Sequence, residues 1–252
     1  MADLGYFAIL LCLFLGGYGI IADLLGAWRG QIALMTSGRN ALMASFMCLS
    51  VAIVALCVLL VGNDFGIKYV AAHTSKDLPL VYRMTALWAG AAGSLLFWLW
   101  LQVGIGAWVF HKRRSLDGSF ASNARVVVNL VSVFFLLVLI FDKNPFAASA
   151  VPPADGAGLN PLLQHPAMVL HPPTLFIGYA ALIVPFAWTF ADIKMRGPNA
   201  RPLAFAQCHR WLLFAWMLLT IGIGLGAWWA YEELGWGGYW AWDPVENSSL
   251  LP

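Results

Sequence analysis

The sequence predicts an all-α polytopic membrane protein. Of its 252 residues, 61% are hydrophobic and only 10% are charged, and the mean hydropathy is +0.77. A soluble domain carries about 25% charged residues and needs them to cover its surface. The composition therefore excludes a cytosolic enzyme, a nucleic-acid-binding protein and a disordered tail, and it points to an integral membrane protein.

Six apolar segments are long enough to cross a bilayer core about 30 Å thick, which takes roughly 20 residues of helix. They cover residues 5–26, 41–62, 86–110, 124–142, 171–191 and 211–229. The first lacks the basic flank and the small-residue cleavage site of a signal peptide, so we expect it to remain as a span. Residues 1–252 are predicted to form a single membrane domain.

The distribution of lysine and arginine predicts the orientation of these spans. With the N-terminus outside, ten of them fall in the inner loops: Arg29, Arg39, Lys112, Arg113, Arg114, Arg125, Lys194, Arg196, Arg201 and Arg210. Four fall outside: Lys68, Lys76, Arg83 and Lys143. Because cytoplasmic loops are enriched in basic residues, both termini are predicted on the periplasmic side of a bacterial inner membrane.

Residues 143–170 are predicted to form a periplasmic loop that lies on the membrane surface, ordered but irregular because it is rich in proline and glycine. The span interiors contain almost no ionisable residues, which disfavours a proton-relay transporter. The four cysteines form no CxxC pair and no zinc spacing, so neither a c-type cytochrome nor a thiol–disulfide catalyst is indicated.

A tryptophan-rich segment follows the last span, over residues 228–252. Seven of the twenty residues 228–247 are aromatic: Trp228, Trp229, Tyr231, Trp236, Tyr239, Trp240 and Trp242. Such residues form belts at the headgroup level of a bilayer. The glycines at 235, 237 and 238 also permit turns that bring several rings to one surface, where a large planar ligand could rest. From these residues alone, the aromatic belt and the ligand platform both remain possible interpretations.

Asp243, Pro244 and Glu246 match a capping box, with aspartate at the N-cap, proline at N1 and glutamate at N3. They predict a helix that begins at Pro244. Because only a few residues follow before Pro252, we expect the chain to be a fragment or one half of a split protein.

Among the five histidines, His171 has the most constrained position. His111 and His209 lie beside basic residues on the inner side, and His73 and His165 are expected to be ordinary surface histidines. His171 precedes Pro172 and Pro173, which restrict its backbone and suit the start of a helix, here the fifth span. An imidazole held there, at the depth of the tryptophan segment, is either structural or an axial ligand of haem iron.

The stretch from Glu233 to Ser249 resembles the tryptophan-rich "WWD" signature of the CcmF/NrfE branch of bacterial cytochrome c maturation proteins. The resemblance extends to Asn160–Gln164 and the His171-Pro172-Pro173 motif, to Asn63–Phe65 with Tyr69, and to Leu87–Gly90. It covers nearly the whole chain.

This resemblance implies a haem lyase subunit that holds haem on the periplasmic face for thioether attachment to the CxxCH motif of an apocytochrome c. It further implies haem delivery by the chaperone CcmE, in a complex with a CcmH-type thioreductase subunit. By the resemblance, His171 is an axial ligand of the haem iron, and Trp236, Trp240, Trp242 and Asp243 form the haem platform and its edge. Weaker candidates for haem contact are Trp228, Trp229, Tyr239 and Pro172. No catalytic residue is assigned.

The chain departs from the family pattern at two points. Many members have a glutamate where this chain has Ala92, and the family continues through further spans that carry a second outer histidine and the paired histidines of a structural b haem. The chain is therefore expected to be an N-terminal portion with one axial ligand at most. The alternative functions are a transporter or exporter of haem or another flat amphiphile, and a non-catalytic membrane scaffold in a respiratory complex.

Overall fold

The computed structural model describes residues 1–112, 118–196, 205–233, 238–242 and 244–250. Its helices are α1 (Ala2–Arg29), α2 (Ile32–Val61), α3 (Lys68–His73), α4 (Leu80–Thr85), α5 (Ala91–Lys112), α6 (Gly118–Phe141), α7 (Pro166–Ala181), α8 (Ile183–Arg196), α9 (Phe205–Glu233) and α10 (Pro244–Leu250). Short 3-10 helices cover Ala86–Trp88 and Pro161–Leu163. The described residues contain no strand, and their one isolated β-bridge joins Ile67 to Ala148.

Six stretches of helix are long and apolar enough to cross a membrane, which confirms the predicted fold class. Five of them lie in α1, α2, α5, α6 and α9, the last from Cys208 onward. The remaining stretch, fifth along the chain, consists of α7 and α8 from Pro166 to Met195 and is called the fifth unit below. Several helices extend beyond the predicted apolar segments. α2 begins at Ile32 rather than at residue 41, and α7 begins at Pro166 rather than at residue 171.

α1 and α2 form a tight antiparallel pair. Gly30 ends α1 with φ 66°, a left-handed conformation that glycine adopts without strain, and α2 begins two residues later. Because this connection is so short, Arg39 lies inside α2 and not in an inner loop as predicted. Gly26 and Gly38 on the two helices permit close packing near this turn.

The fifth unit is broken into α7 and α8 at Leu182. Pro185 lies in the first turn of α8 and has no N–H to donate to the carbonyl of Ala181, so the hydrogen-bond ladder is interrupted there. Leu182 instead donates its N–H to the carbonyl oxygen of Tyr179, at 3.2 Å. The break lets α7 pack against α9 while α8 packs against α6.

A cap of short helices and loops covers one end of the bundle. The chain after α6 is tied by backbone hydrogen bonds to the segment around α3: Lys68 donates to Ala147, Ser149 to Gly66, and Ala157 to Ala71. The Lys76 ammonium also donates to the carbonyl oxygen of Ala154, at 2.6 Å. The proline- and glycine-rich residues after α6 are thus held by specific contacts.

The core lies between α1, α2, α5, α6 and α8, where Leu42, Leu56, Leu99 and Trp188 are fully buried. α9 is the least buried of the six spans, and it packs mainly on α7. Its other side presents large apolar side chains, including Leu213 and Trp216.

An ion pair is buried inside the bundle, which the sequence did not predict. Arg125 was expected in an inner loop, but it lies inside α6 with only 3% of its surface exposed, and it pairs with the fully buried Asp23 of α1. Its guanidinium also donates to the Met35 carbonyl and the Ser122 hydroxyl, both at 2.9 Å. This pair corrects the expectation of spans nearly free of ionisable groups, and Asp192 of α8 is a further buried carboxylate within a span.

Candidate functional site

The candidate site is built on the antiparallel contact between α7 and α9. Positions 171, 175 and 178 of α7 follow the helical repeat and so share one face. Along this face, His171 lies over Gly226, Leu175 over Gly222, and Gly178 against Leu219. Small residues let the two backbones approach closely, as they commonly do between membrane helices.

The hydrogen bond of His171 determines which ring nitrogen is left for a ligand. Its Nδ1 lies 2.6 Å from the carbonyl oxygen of Gly222. Because a carbonyl oxygen can only accept, Nδ1 carries the proton, and in the neutral ring Nε2 keeps its lone pair. Metal-ligating histidines are commonly oriented by such a bond from the other nitrogen. The ring is partly exposed, so it meets the chemical requirement for an axial haem ligand.

The position of His171 within its helix differs from the sequence expectation. It lies inside α7, in the second turn, and its neighbour Gly226 is seven residues before the end of α9 at Glu233. At 1.5 Å per residue along the helix axis, Gly226 lies about 10 Å before the end of α9 and about 3 Å from Trp228, the first residue of the tryptophan-rich segment.

Two prolines follow His171 within the helix, and tertiary contacts compensate for part of the lost bonding. Pro172 has no N–H for the carbonyl of Met168, and the indole Nε1 of Trp88 donates to that oxygen instead, at 3.3 Å. Pro172 is buried among the packed helices. Its weaker assignment as a haem contact stays a prediction.

His165, which was expected to be an ordinary surface histidine, is buried and connects the start of α7 to the last turn of α9. Its Nδ1 accepts the N–H of Ala167 at 3.1 Å and so caps α7. Its Nε2 therefore carries the proton and donates to the Glu232 carboxylate at 2.7 Å. Both nitrogens are occupied, so His165 is unsuited to binding a metal where it stands. The sequence signal for it was its place directly before Pro166, a pattern typical of a helix N-cap.

Trp228 and Trp229 are anchored at this same end. The indole of Trp228 donates to Glu232 at 2.6 Å and meets the His165 ring edge-on, with 5.3 Å between ring centroids. The indole of Trp229 donates to the carbonyl oxygen of Leu162 at 2.8 Å. These bonds connect the end of α9 to the loop before α7.

The later aromatic residues form a second group. Trp240 and Trp242 meet nearly at right angles, with centroids 6.2 Å apart, and Tyr239 stacks on Tyr231 at 4.5 Å. Trp242 is 73% exposed and has φ 60°. Among the described residues, the hydrogen bonds and ring contacts of Trp240 and Trp242 do not reach His171. The other two predicted platform residues, Trp236 and Asp243, lie outside the described residues.

The helix predicted after the tryptophan segment is present, and α10 begins at Pro244 as expected. Glu246 accepts a hydrogen bond from the N–H of Ala241 at 2.7 Å. Asn247 donates to the carbonyl oxygen of Trp242 at 3.1 Å. The first turn of α10 thereby holds the backbone on which Trp240 and Trp242 sit.

A tyrosine that the sequence associated with the family pattern joins two distant segments of the cap. The hydroxyl of Tyr69 lies 2.9 Å from the Ala86 carbonyl and 3.2 Å from that of Leu87, and it accepts the N–H of Gly90 at 3.1 Å. Burial raises the pKa of Tyr69, so the hydroxyl keeps its proton and can donate. His73 stacks on its ring at 4.3 Å.

Comparison with known proteins agrees with this arrangement. Residues 88–252, more than half of the chain, match the family described as cytochrome C assembly protein. The chain belongs to this family. The predicted resemblance to the CcmF/NrfE proteins is confirmed by the relatives and the solved structure described next, and the six apolar helices support multi-pass membrane character.

Two relatives from Haemophilus influenzae illustrate the match. The cytochrome c-type biogenesis protein CcmF is 39% identical over 257 aligned residues, which cover 100% of this chain and 39% of the relative. The cytochrome c-type biogenesis protein NrfE is 36% identical, with 100% of this chain and 39% of the relative covered. The chain thus spans about two fifths of the length of these proteins, which fits the expectation of an N-terminal portion.

A solved structure titled Cytochrome c Heme Lyase CcmF superimposes with a TM-score of 0.83 and 32% sequence identity. The match covers 98% of this chain and 39% of that one. The arrangement of all the spans in this chain is therefore shared with a cytochrome c assembly protein.

Proposed function

We propose that this chain holds haem on the periplasmic face of a bacterial inner membrane for attachment to apocytochrome c, as part of a haem lyase. The observation that carries the proposal is the bond from His171 Nδ1 to Gly222, which leaves Nε2 available on a partly exposed ring in the HPP motif. In contrast to His171, His165 has a hydrogen-bond partner at both ring nitrogens and so has no nitrogen available for iron.

The aromatic residues supply the apolar contact that a large flat cargo needs. Trp240 has a buried indole N–H without a hydrogen-bond partner among the described residues, and Trp242 presents most of its surface. A ligand that covers the accessible faces of these rings removes apolar surface from water. We assign Trp236 and Asp243 to the same platform through the family resemblance.

The chemistry of attachment assigns mainly an orienting role to the protein. A cysteine thiol adds across a haem vinyl group: a carbon–sulfur bond forms, and the thiol hydrogen goes to the neighbouring vinyl carbon. No side chain of the chain needs to act as a nucleophile. A bound haem held by His171 against the tryptophans would present its vinyl edge in one direction, which is the kind of contribution that positioning makes to rate.

The partners follow from the same proposal. The cargo would arrive from the haem chaperone CcmE, a CcmH-type subunit would keep the apocytochrome thiols reduced, and the apocytochrome would dock on the periplasmic end. These partners and this location are proposed for the whole assembly, because the chain spans only about two fifths of its relatives.

The test is an absorption spectrum of the detergent-purified chain after co-expression with haem-delivery partners. We expect haem in the parent and at least a tenfold loss in His171→Ala. The matched control is His73→Ala. The Nδ1 of His73 also lies 2.8 Å from a backbone carbonyl oxygen, that of Tyr69, but His73 belongs to the cap and not to the contact between α7 and α9. Equal haem in parent and His171→Ala, or no haem in the parent, would overturn the proposal that this chain holds haem through His171.

The alternative of a haem transporter is separated by a second measurement. Proteoliposomes that contain only this chain are expected to show no haem uptake above protein-free vesicles. Uptake that requires Trp240 and Trp242 would favour transport over retention at the surface.

A further inference from the structure

A cavity of about 720 Å³ opens between α5, α7 and α9, away from the candidate haem site. Its walls are apolar and include Ile105 and Val109 of α5, Ile177 of α7 and Phe214 of α9. Phe214 is 40% exposed, so the cavity faces the surroundings of the bundle and not its core. In a membrane these surroundings are lipid chains.

Two cations lie at one end of this cavity. Lys112 is the last residue of α5, and Arg210 lies in the second turn of α9. Within the described ranges neither forms an ion pair, although the Lys112 ammonium lies over the ring of Trp108, 5.7 Å from its centroid. From Ile105 to Lys112 the wall runs for seven residues, about 10 Å along the helix. The cavity is thus amphipathic, with an apolar length and a basic end.

The basic end lies where we expect the inner leaflet. Arg29 ends α1 and Lys194 lies near the end of α8, so basic residues also mark this end of the other helices. By the positive-inside rule, that end faces the cytoplasm, where anionic lipids attract juxtamembrane lysine and arginine. Trp108 and Trp211, which also line the cavity, meet edge-on with centroids 6.2 Å apart, and indoles favour the headgroup level.

A neighbouring cavity extends the apolar surface around α5. It measures about 240 Å³ and shares Ile105 and Trp108 with the first, while its other lining residues include Phe46 of α2 and Trp100 of α5. The two cavities therefore share part of one wall, and they extend toward α9 and toward α2 respectively. Two adjoining apolar spaces beside one basic end suit a molecule with two acyl chains and one charged head.

We propose that this surface binds one anionic phospholipid of the inner leaflet. The phosphate lies between Lys112 and Arg210, one acyl chain follows Ile105 and Phe214, and the second follows the cavity near Phe46. Among the residues that the structure describes, the linings of the two cavities contain no histidine, cysteine or methionine, the side chains that commonly ligate haem iron. The chemistry of the lining thus favours a lipid over the cargo of the candidate haem site.

Native mass spectrometry of the detergent-purified chain tests the proposal, with phosphatidylglycerol and phosphatidylcholine of identical acyl chains as probes. We expect the parent to retain phosphatidylglycerol at least tenfold more tightly than phosphatidylcholine. Each cation removed should weaken phosphatidylglycerol binding about 5-fold, so Lys112→Ala with Arg210→Ala should abolish the preference. Arg29→Ala with Lys194→Ala, which removes the same charge outside the cavity, should keep it.

A second variant tests the apolar part of the surface. Ile105→Trp places a larger side chain in the wall that both cavities share and leaves both cations intact, so it should reduce the binding of both lipids. Phosphatidylglycerol binding that is unchanged in Lys112→Ala/Arg210→Ala, or lowered as much in the control pair, would overturn the proposal. So would haemin that displaces the lipid in a manner dependent on Lys112 and Arg210, because the occupant would then be haem.

Discussion

Replacing one partner of the buried pair Asp23–Arg125 should destabilise the bundle strongly, whereas replacing both should not. The two side chains are 0% and 4% exposed, and the pair joins α1 to α6 across 102 residues of sequence. Arg125→Met leaves a carboxylate without its counter-ion inside the protein. Asp23→Leu leaves a guanidinium with only the Met35 carbonyl and the Ser122 hydroxyl as acceptors.

The expected magnitude follows from this burial. Breaking a buried ion pair by removal of one partner costs about 3–5 kcal/mol, since an uncompensated charge remains. At about 2–4 °C per kcal/mol for a chain of this size, each single variant should lower the Tm by roughly 6–20 °C. The double variant Asp23→Leu/Arg125→Met removes both charges, and it should lie within about 2 kcal/mol of the parent, because an apolar pair of similar size can replace a buried ion pair.

The assay is thermal unfolding of the detergent-purified variants, followed by intrinsic tryptophan fluorescence. The exposed pair Asp142–Lys143, with its charged atoms 3.3 Å apart and its side chains 66% and 45% exposed, is the matched control. Lys143→Met should cost less than about 1 kcal/mol. The reasoning is refuted if Arg125→Met shifts the Tm no more than Lys143→Met, or if the double variant is as unstable as the singles.

Two further predictions concern the candidate site and the cap. Gly226→Ala places a methyl group 2.6 Å from Cε1 and 2.9 Å from Nδ1 of His171, so the ring must move and the haem content measured by absorption should fall several-fold. Gly224→Ala meets nothing within 4 Å and should keep the parent's haem content. Tyr69→Phe removes the acceptor of the partly buried Gly90 N–H and the one donor shared by the buried Ala86 and Leu87 carbonyls, so it should lower the free energy of unfolding by about 1–3 kcal/mol in the same thermal assay. Tyr82→Phe, whose exposed hydroxyl donates to the Gln164 carbonyl at 3.0 Å, should cost less, and an equal loss would contradict this account of Tyr69.

The start of the fifth span shows why one local rule failed. Residues before proline avoid helical geometry, so the sequence predicted a helix that begins after His171. The helix begins at Pro166 instead, because His165 caps it and because Trp88, 80 residues away, bonds to the carbonyl that Pro172 leaves unpaired. Such distant donors are invisible to a rule that considers adjacent residues only.

The histidines make the same point for the site. The HPP motif directed attention to His171, and the structure adds the Gly222 bond that determines its tautomer. His165 was misjudged as a surface residue, because its partner Glu232 is 67 residues away in sequence. The place of Trp236 and Asp243 stays a prediction from the family resemblance.

The sequence by itself determined that this is a six-span helical membrane protein of the cytochrome c assembly family. The hydrocarbon core demands long apolar helices, and this demand is visible in every span independently of its neighbours. Only the tertiary structure decided which polar groups meet: Asp23 with Arg125, His165 with Glu232, and the ring of His171 with Gly222 and Gly226. These pairings depend on which helix faces pack together, and a helix turned by a single residue would present a different face.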